Sequence, residues 1–186
     1  MSAPNPIVTV GRARFGNALA FLGCTPAEIT WKAGVDVLSF GATKNGAMGA
    51  EAIVLFDEGQ AQEMAFRRKR AGQLFSKMRF VAAQLEGYLK DDAWLRAARH
   101  ANGEAAALGR GLAQVPGVTL GAPVEGNQVF AQIPEALRQK LEADGFKFYG
   151  WDAGAPGLVR FVTSFATPRA EVDNLVAAVR RHQNAA

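Results

Sequence analysis

Cysteine and histidine are nearly absent from this 186-residue sequence, which has one of the first, Cys24, and two of the second, His100 and His182. A single cysteine excludes an internal disulfide, and Cys24 sits in the apolar stretch "AFLGCTPAEI", so a reduced, cytoplasmic protein is the expectation. The two histidines fall on polar helix faces, and no metal site is assigned. Long hydrophobic runs are missing too: every apolar stretch is soon broken by charge, Gly or Pro, well short of a bilayer span. The first residues, "MSAPNPIVTVGRARFG", lack a basic segment followed by an apolar one, so no secretory signal is visible. Internal repeats and low-complexity segments are absent as well.

What remains is the composition of a globular chain, 49% hydrophobic and 20% charged, long enough for one sizeable core or two small domains. The net charge is +4, and the excess gathers in "FRRKRAGQLFSKMR", residues 66 to 79. Such a patch could meet phosphates on a cofactor or a nucleic acid. No nucleic-acid motif accompanies it, so a solvated helix face is preferred, with neither nucleic acid nor membrane as partner.

Helical spacing runs through "ARFGNALAFLG" to Gly23, and "TPAEITWKAG" then predicts a short helix capped by Thr25, with Glu28 completing a capping box. "VDVLSF" and "EAIVLF" predict strands at 35–40 and 52–56, joined by the small-residue connection "GATKNGAMGA". A long helical region follows, with a break near Ala71-Gly72; beyond it Leu74, Met78, Val81, Leu85 and Tyr88 share one face. The next helix, about 92–114, is expected to bury Trp94, Ala97, Ala101, Ala105, Leu108 and Leu112. After "VPGV" the texture shortens: strand "NQVFAQI", helix "PEALRQKLEADG", strands "FKFYGW" and "GLVRFVTSF", and a closing helix introduced by Thr167 and Pro168. That order, β-α-β-β-α, describes a small α+β domain. The two early strands have few partners in sequence, so they either join the later strands or belong to a sheet whose remainder lies elsewhere.

Lys44 is the one residue whose placement suggests covalent chemistry. A lysine at the end of a buried strand can be desolvated, which favours the neutral amine as a nucleophile, as Schiff-base chemistry requires. Small-residue turns with one lysine are common, however, and the local motif alone is weak.

The wider stretch "ARFGNALAFLGCTPAEITWKAGVDVLSFGATKNGAMGAEAIVLFD" is far more specific. It resembles the segment around the cofactor lysine of low-specificity L-threonine aldolases, in the aromatic amino acid beta-eliminating lyase/threonine aldolase family. The resemblance continues through "RRKRAGQLFSKMRFVAAQLEGYL", "NQVFAQIP", "FYGW" and "VRFVTSFAT". It implies fold type I of the pyridoxal 5'-phosphate enzymes: part of a large α/β domain, helices plus two strands, over residues 13–90, then a connecting helix and small C-terminal α+β domain over 91–186. It also implies a lyase that cleaves a β-hydroxy amino acid, threonine giving glycine and acetaldehyde, and a homotetrameric assembly.

Carried over residue by residue, Lys44 is the Schiff-base lysine and Thr43 beside it a cofactor-contacting residue. Arg160, in "VRFVT", grips the substrate carboxylate, and Arg14, in "ARFGNA", is a second arginine near cofactor and carboxylate. Lys77 and Arg79 lie where the family places basic groups near a neighbouring subunit's cofactor phosphate. A solvent-facing strand position would equally explain Arg160, and a first helical turn Arg14.

The pattern departs from the family at the front. Gly11, in "TVGRARF", stands where the family has the aspartate that pairs with the pyridinium nitrogen. Residues 1–12 read as an unmatched leader, and the phosphate-binding turn has no counterpart. The expectation is therefore the C-terminal half of such an enzyme, N-terminally truncated, which would act with a complementary N-terminal half or as a homo-oligomer. The alternative is a catalytically inactive remnant that oligomerises without binding cofactor.

Overall fold

A computed structural model describes residues 7–12, 14–151 and 157–184. Of the segments discussed above, residues 1–6 of the leader and Ala13 lie outside the described residues. The chain divides into two compact units, residues 1–96 and 97–186.

The first unit is built on a three-stranded sheet. β1 (Thr9–Arg12) runs parallel to β2 (Val37–Gly41), which pairs antiparallel with β3 (Glu51–Leu55). Between β1 and β2 comes α1 (Phe15–Leu22), closed by Gly23 in the left-handed conformation (φ +67°). After β3 come α2 (Gly59–Arg70) and α3 (Arg79–Leu89), and α4 (Ala93–Leu112) begins here and continues into the second unit. Strand alternation turns Leu38 and Phe40 inward and Ser39 outward. Leu38 and Phe40 pack with Phe15, Leu19, Tyr88 and Trp94 into an aromatic-rich core. Phe15 stacks on Trp94, ring centroids 6.2 Å apart, and Phe40 meets Trp94 edge-on at 5.6 Å. The opposite face of the sheet is bare, with Gly11, Ser39 and Ile53 in one register row and all exposed.

β1 corrects the expectation that the first twelve residues are an unrelated leader, because residues 9–12 complete this sheet. Val8 ties the strand to β2 from both sides: its N–H donates to an Asp36 carboxylate oxygen (2.8 Å) and its carbonyl accepts from the Asp36 N–H (2.9 Å). The short helix expected over "TPAEITWKAG" is replaced by turns ending in a 3₁₀ turn, Trp31–Ala33. Its capping pair exists, but the Thr25 hydroxyl and N–H both donate to one Glu28 carboxylate oxygen, at 2.7 Å each, holding that carboxyl below its usual range. The Thr30 hydroxyl, bonded to the Pro26 carbonyl at 2.6 Å, fixes the same turn.

The break at Ala71-Gly72 is present, with Gly72 left-handed (φ +70°), but helix resumes only at Arg79. Leu74 is therefore exposed, and only Val81, Leu85 and Tyr88 of the expected face join the core. α2 buries none of its residues, so its basic end is a solvated surface.

The second unit holds an antiparallel sheet ordered β4-β5-β7-β6: β4 (Thr119–Leu120), β5 (Gln128–Gln132), β6 (Tyr149–Gly150) and β7 (Leu158–Val162). The early and late strands thus form separate sheets. α4, α5 (Glu135–Ala143) and α6 (Arg169–Asn184) supply the rest of the core, with Leu108, Leu112, Leu137, Leu141, Val172, Val176 and Val179 against Val129, Ala131, Val159 and Phe161. In α4 Ala98 is fully buried and Ala97 only half, a one-position shift from expectation. Among the described residues no helix is long and apolar enough to cross a membrane.

Candidate functional site

Lys44 lies in a single 3₁₀ turn, Thr43–Asn45, between β2 and β3. The base of this connection is clamped by backbone: the Ala42 N–H donates to the Ala50 carbonyl at 3.0 Å, and the Asn45 and Ala47 N–H groups both return to the Ala42 carbonyl. The Thr43 hydroxyl accepts from the Ala50 N–H at 3.2 Å, so it too is engaged in closing the loop. Gly46, at φ +120°, makes the reversal that follows.

Asn45 fixes the turn to the core. Its side chain is only 4% exposed, and its amide nitrogen donates to the Tyr88 hydroxyl (2.7 Å) and to the Trp94 carbonyl (2.8 Å). Gly49 adds a tie to α3, its N–H donating to the Gln84 side-chain carbonyl at 3.0 Å. Burial pushes the Tyr88 phenol above its ordinary pKa, with Glu51 adding to the rise and the Asn45 hydrogen bond opposing it. The result is a rigid support carrying an exposed lysine. The Lys44 ammonium makes no hydrogen bond or ion pair with any described residue. The desolvation expected at a buried strand end is therefore corrected: the turn lifts Lys44 out of the core.

The other expected residues fall in different places. Thr43 adjoins Lys44. Arg14 is half-buried at the N-cap of α1, where its carbonyl accepts from the Ala18 N–H at 3.1 Å. Lys77 and Arg79 are exposed at the start of α3, with the Arg79 guanidinium 4.8 Å from the Phe80 ring centroid. No hydrogen bond or ion pair among the described residues joins either to the Lys44 turn.

Arg160 belongs to the second unit. It stands on β7 on the sheet face opposite the core, with Phe130 of β5 and Tyr149 of β6 as its register partners. Its guanidinium carbon lies 4.6 Å from the Trp151 ring centroid and 5.1 Å from that of Tyr149. The Arg160 Nε is enclosed and has no hydrogen-bond acceptor among the described residues.

Asn45, Tyr149 and Trp151 were not singled out from sequence. Asn-Gly signals only a turn, whereas the adjacent aromatics of "FYGW" were a visible cue beside the expected arginine.

A family model for beta-eliminating lyases matches residues 7–136. The chain belongs to the beta-eliminating lyase family. The chain is 51% identical over 168 residues to low-specificity L-threonine aldolases of Pseudomonas sp. (strain NCIMB 10558) and Pseudomonas aeruginosa. Each alignment takes in 90% of this chain and 48% of the relative, so the chain spans about half the length of the curated relatives it matches. In structure it is similar to a threonine aldolase of Leishmania major, with a TM-score of 0.83 at 27% identity, covering 95% of this chain and 52% of that one. The mixed α/β architecture expected from sequence is thus the fold of the Leishmania major threonine aldolase that the chain resembles.

Pyridoxal phosphate, implied by the sequence resemblance, meets a partial fit. A free, exposed amine on an anchored turn suits covalent attachment at Lys44. Gly11 offers no carboxylate, although a Cβ there would meet only the Ser39 Cβ, at 3.7 Å, an ordinary contact.

Proposed function

We propose that this chain carries the lysine and substrate-carboxylate residues of a pyridoxal-phosphate-dependent threonine aldolase, which cleaves L-threonine or another β-hydroxy amino acid to glycine and an aldehyde. The observation that carries this is the Lys44 turn: an unpaired amine on a support locked by Asn45, in a chain 51% identical to two threonine aldolases over 90% of its length. The cofactor, when bound, supplies an electron sink for breaking the Cα–Cβ bond. Lys44 attaches it and Thr43 stiffens the attachment loop. Arg160 and Arg14 bind the substrate carboxylate, which a planar guanidinium can hold bidentately. Lys77 and Arg79, both exposed, are offered to the cofactor phosphate of a neighbouring subunit. On this view residues 13–90 belong to the cofactor-bearing domain and 91–186 to the small domain, in a cytoplasmic enzyme.

Assembly is part of the proposal. Among the described residues the outer edge of β1 is unpaired and the sheet face bearing Gly11, Ser39 and Ile53 is uncovered, whereas sheets with parallel strands ordinarily have both faces covered. A complementary N-terminal half, or other copies of this chain, would supply that cover.

The test is incubation with pyridoxal phosphate, borohydride reduction and mass mapping. A reduced adduct on Lys44, absent from Lys44→Ala, is expected; labelling scattered over surface lysines would overturn the assignment. Gly11 favours a second reading, a chain that oligomerises and binds no cofactor. That reading requires no Lys44-specific adduct in the wild type or in Gly11→Asp, and a defined oligomer in both.

A further inference from the structure

Arginines that bind carboxylates must be held in place without using up the N–H groups the ligand needs. A carboxylate neighbour would hold a guanidinium, but it would also occupy those donors and cancel the charge. Arg160 is held differently. No acceptor among the described residues takes its Nε–H, and its guanidinium lies against the rings of Tyr149 and Trp151. The two rings come from alternate positions of one chain segment, so they stand on the same sheet face as Arg160. Tyr149 is the direct cross-strand partner of Arg160. Trp151 is fixed twice: its N–H donates to the Leu158 carbonyl at 2.8 Å, and its ring meets Phe130 edge-on, centroids 5.5 Å apart. Both rings remain substantially exposed, Tyr149 at 65% and Trp151 at 38%, so they are not there to fill a core.

We propose that Trp151 and Tyr149 are positioning residues for Arg160, setting the plane of its guanidinium by aromatic contact around the enclosed Nε while leaving its terminal Nη groups available to a carboxylate. Guanidinium is weakly hydrated and stacks on aromatic faces, so this support constrains the cation without neutralising it. The inference rests on the reading of Arg160 as the carboxylate-binding arginine. It adds the residues that make that arginine a receptor rather than a mobile surface cation.

The experiment is a titration of the full chain with sodium acetate and with L-threonine, followed through the Arg160 Nε–H NMR signal, which Arg160→Lys identifies by its loss. Sodium chloride at matched ionic strength is the control. Saturable shifts with both carboxylates, and not with chloride, are expected. Trp151→Ala should weaken acetate binding about tenfold, the size of one well-placed cation–π contact. Trp151→Phe should restore it, and Tyr149→Ala should weaken it by a smaller factor. Backbone amide signals of Val159 and Phe161 report whether each variant keeps the sheet, and the exposure of both rings makes this the expected result. No carboxylate-specific shift in the wild type overturns the carboxylate role of Arg160 and this proposal together. A wild-type shift that Trp151→Ala and Tyr149→Ala leave unchanged overturns the positioning alone.

Discussion

Replacing Asn45 with alanine removes the amide that fastens the lysine turn to the core, and the structure sets the size of the effect. Two hydrogen bonds disappear, to the Tyr88 hydroxyl at 2.7 Å and to the Trp94 carbonyl at 2.8 Å, both buried. A buried hydrogen bond contributes about 1 kcal/mol net, and an acceptor left unmet adds about 1–3 kcal/mol. The Trp94 carbonyl lies in the first turn of α4, where a helical N–H still reaches it, so most of the added penalty falls on Tyr88. A total of about 3–5 kcal/mol follows. With a urea slope of about 1–3 kcal/mol per molar, the midpoint of the first unit falls by about 1 M or more. The assay is urea unfolding by Trp94 fluorescence, with Trp31 and Trp151 replaced by phenylalanine so that only the first unit reports. Asn45→Asp should cost at least as much, because it points a carboxylate at the Trp94 carbonyl. A midpoint shift below about 0.3 M for Asn45→Ala would refute the latch. So would strict additivity with Tyr88→Phe, since two groups sharing a hydrogen bond must couple.

Tyr88 has a raised folded-state pKa, so its contribution is complete below the unfolded phenol value of about 10 and disappears as pH climbs through the folded one. The first unit should lose stability in alkali, and Tyr88→Phe should flatten that limb of a pH–stability profile. At acid pH the sign reverses for Asp144, whose carboxyl is held below its usual range first by the His182 hydrogen bond and then by the charges of His182 and Arg181. Its stabilising contribution is present above the unfolded value of about 3.9 and lost as pH falls through the folded one, so Asp144→Asn should lessen the pH dependence of acid unfolding. Gly111→Ala puts a methyl 2.6 Å from a Val176 methyl, and overpacking of about 1–3 kcal/mol should outweigh the roughly 1 kcal/mol gain in helix propensity. Thermal unfolding of the second unit would show it, and a stabilised variant would contradict the packing described.

Hydrophobic period carried most elements through from sequence to structure. β2, β3, β5 and β7 alternate or run apolar, and α4 to α6 repeat every three to four residues, so tertiary packing and local pattern agree. Where they disagree, a specific interaction decides. Residues 25–34 carry a capping pair and a proline, yet the Thr25 hydroxyl bonds the carboxylate it was expected to complement, and Thr30 bonds back to Pro26. β1 and β4 went unseen because a strand of four or two residues has no period to detect, only a partner, and that of β1 lies some 28 residues away. At the site, the roles proposed for Lys44 and Arg160 rest on family resemblance. Their supports were not legible, because Asn45 and Trp151 matter through contacts that spacing does not encode.

The tie between Asn45 and Trp94 spans 49 residues and so has a consequence for biosynthesis. A ribosome adding about 5–20 residues per second needs about 2–10 s to get from one partner to the other. Throughout that interval the Asn45 amide lacks the Trp94 carbonyl, the last-made of the groups that hold the lysine turn. The lysine turn is therefore tied first to its own strands, then to Gln84 and Tyr88, and last to Trp94.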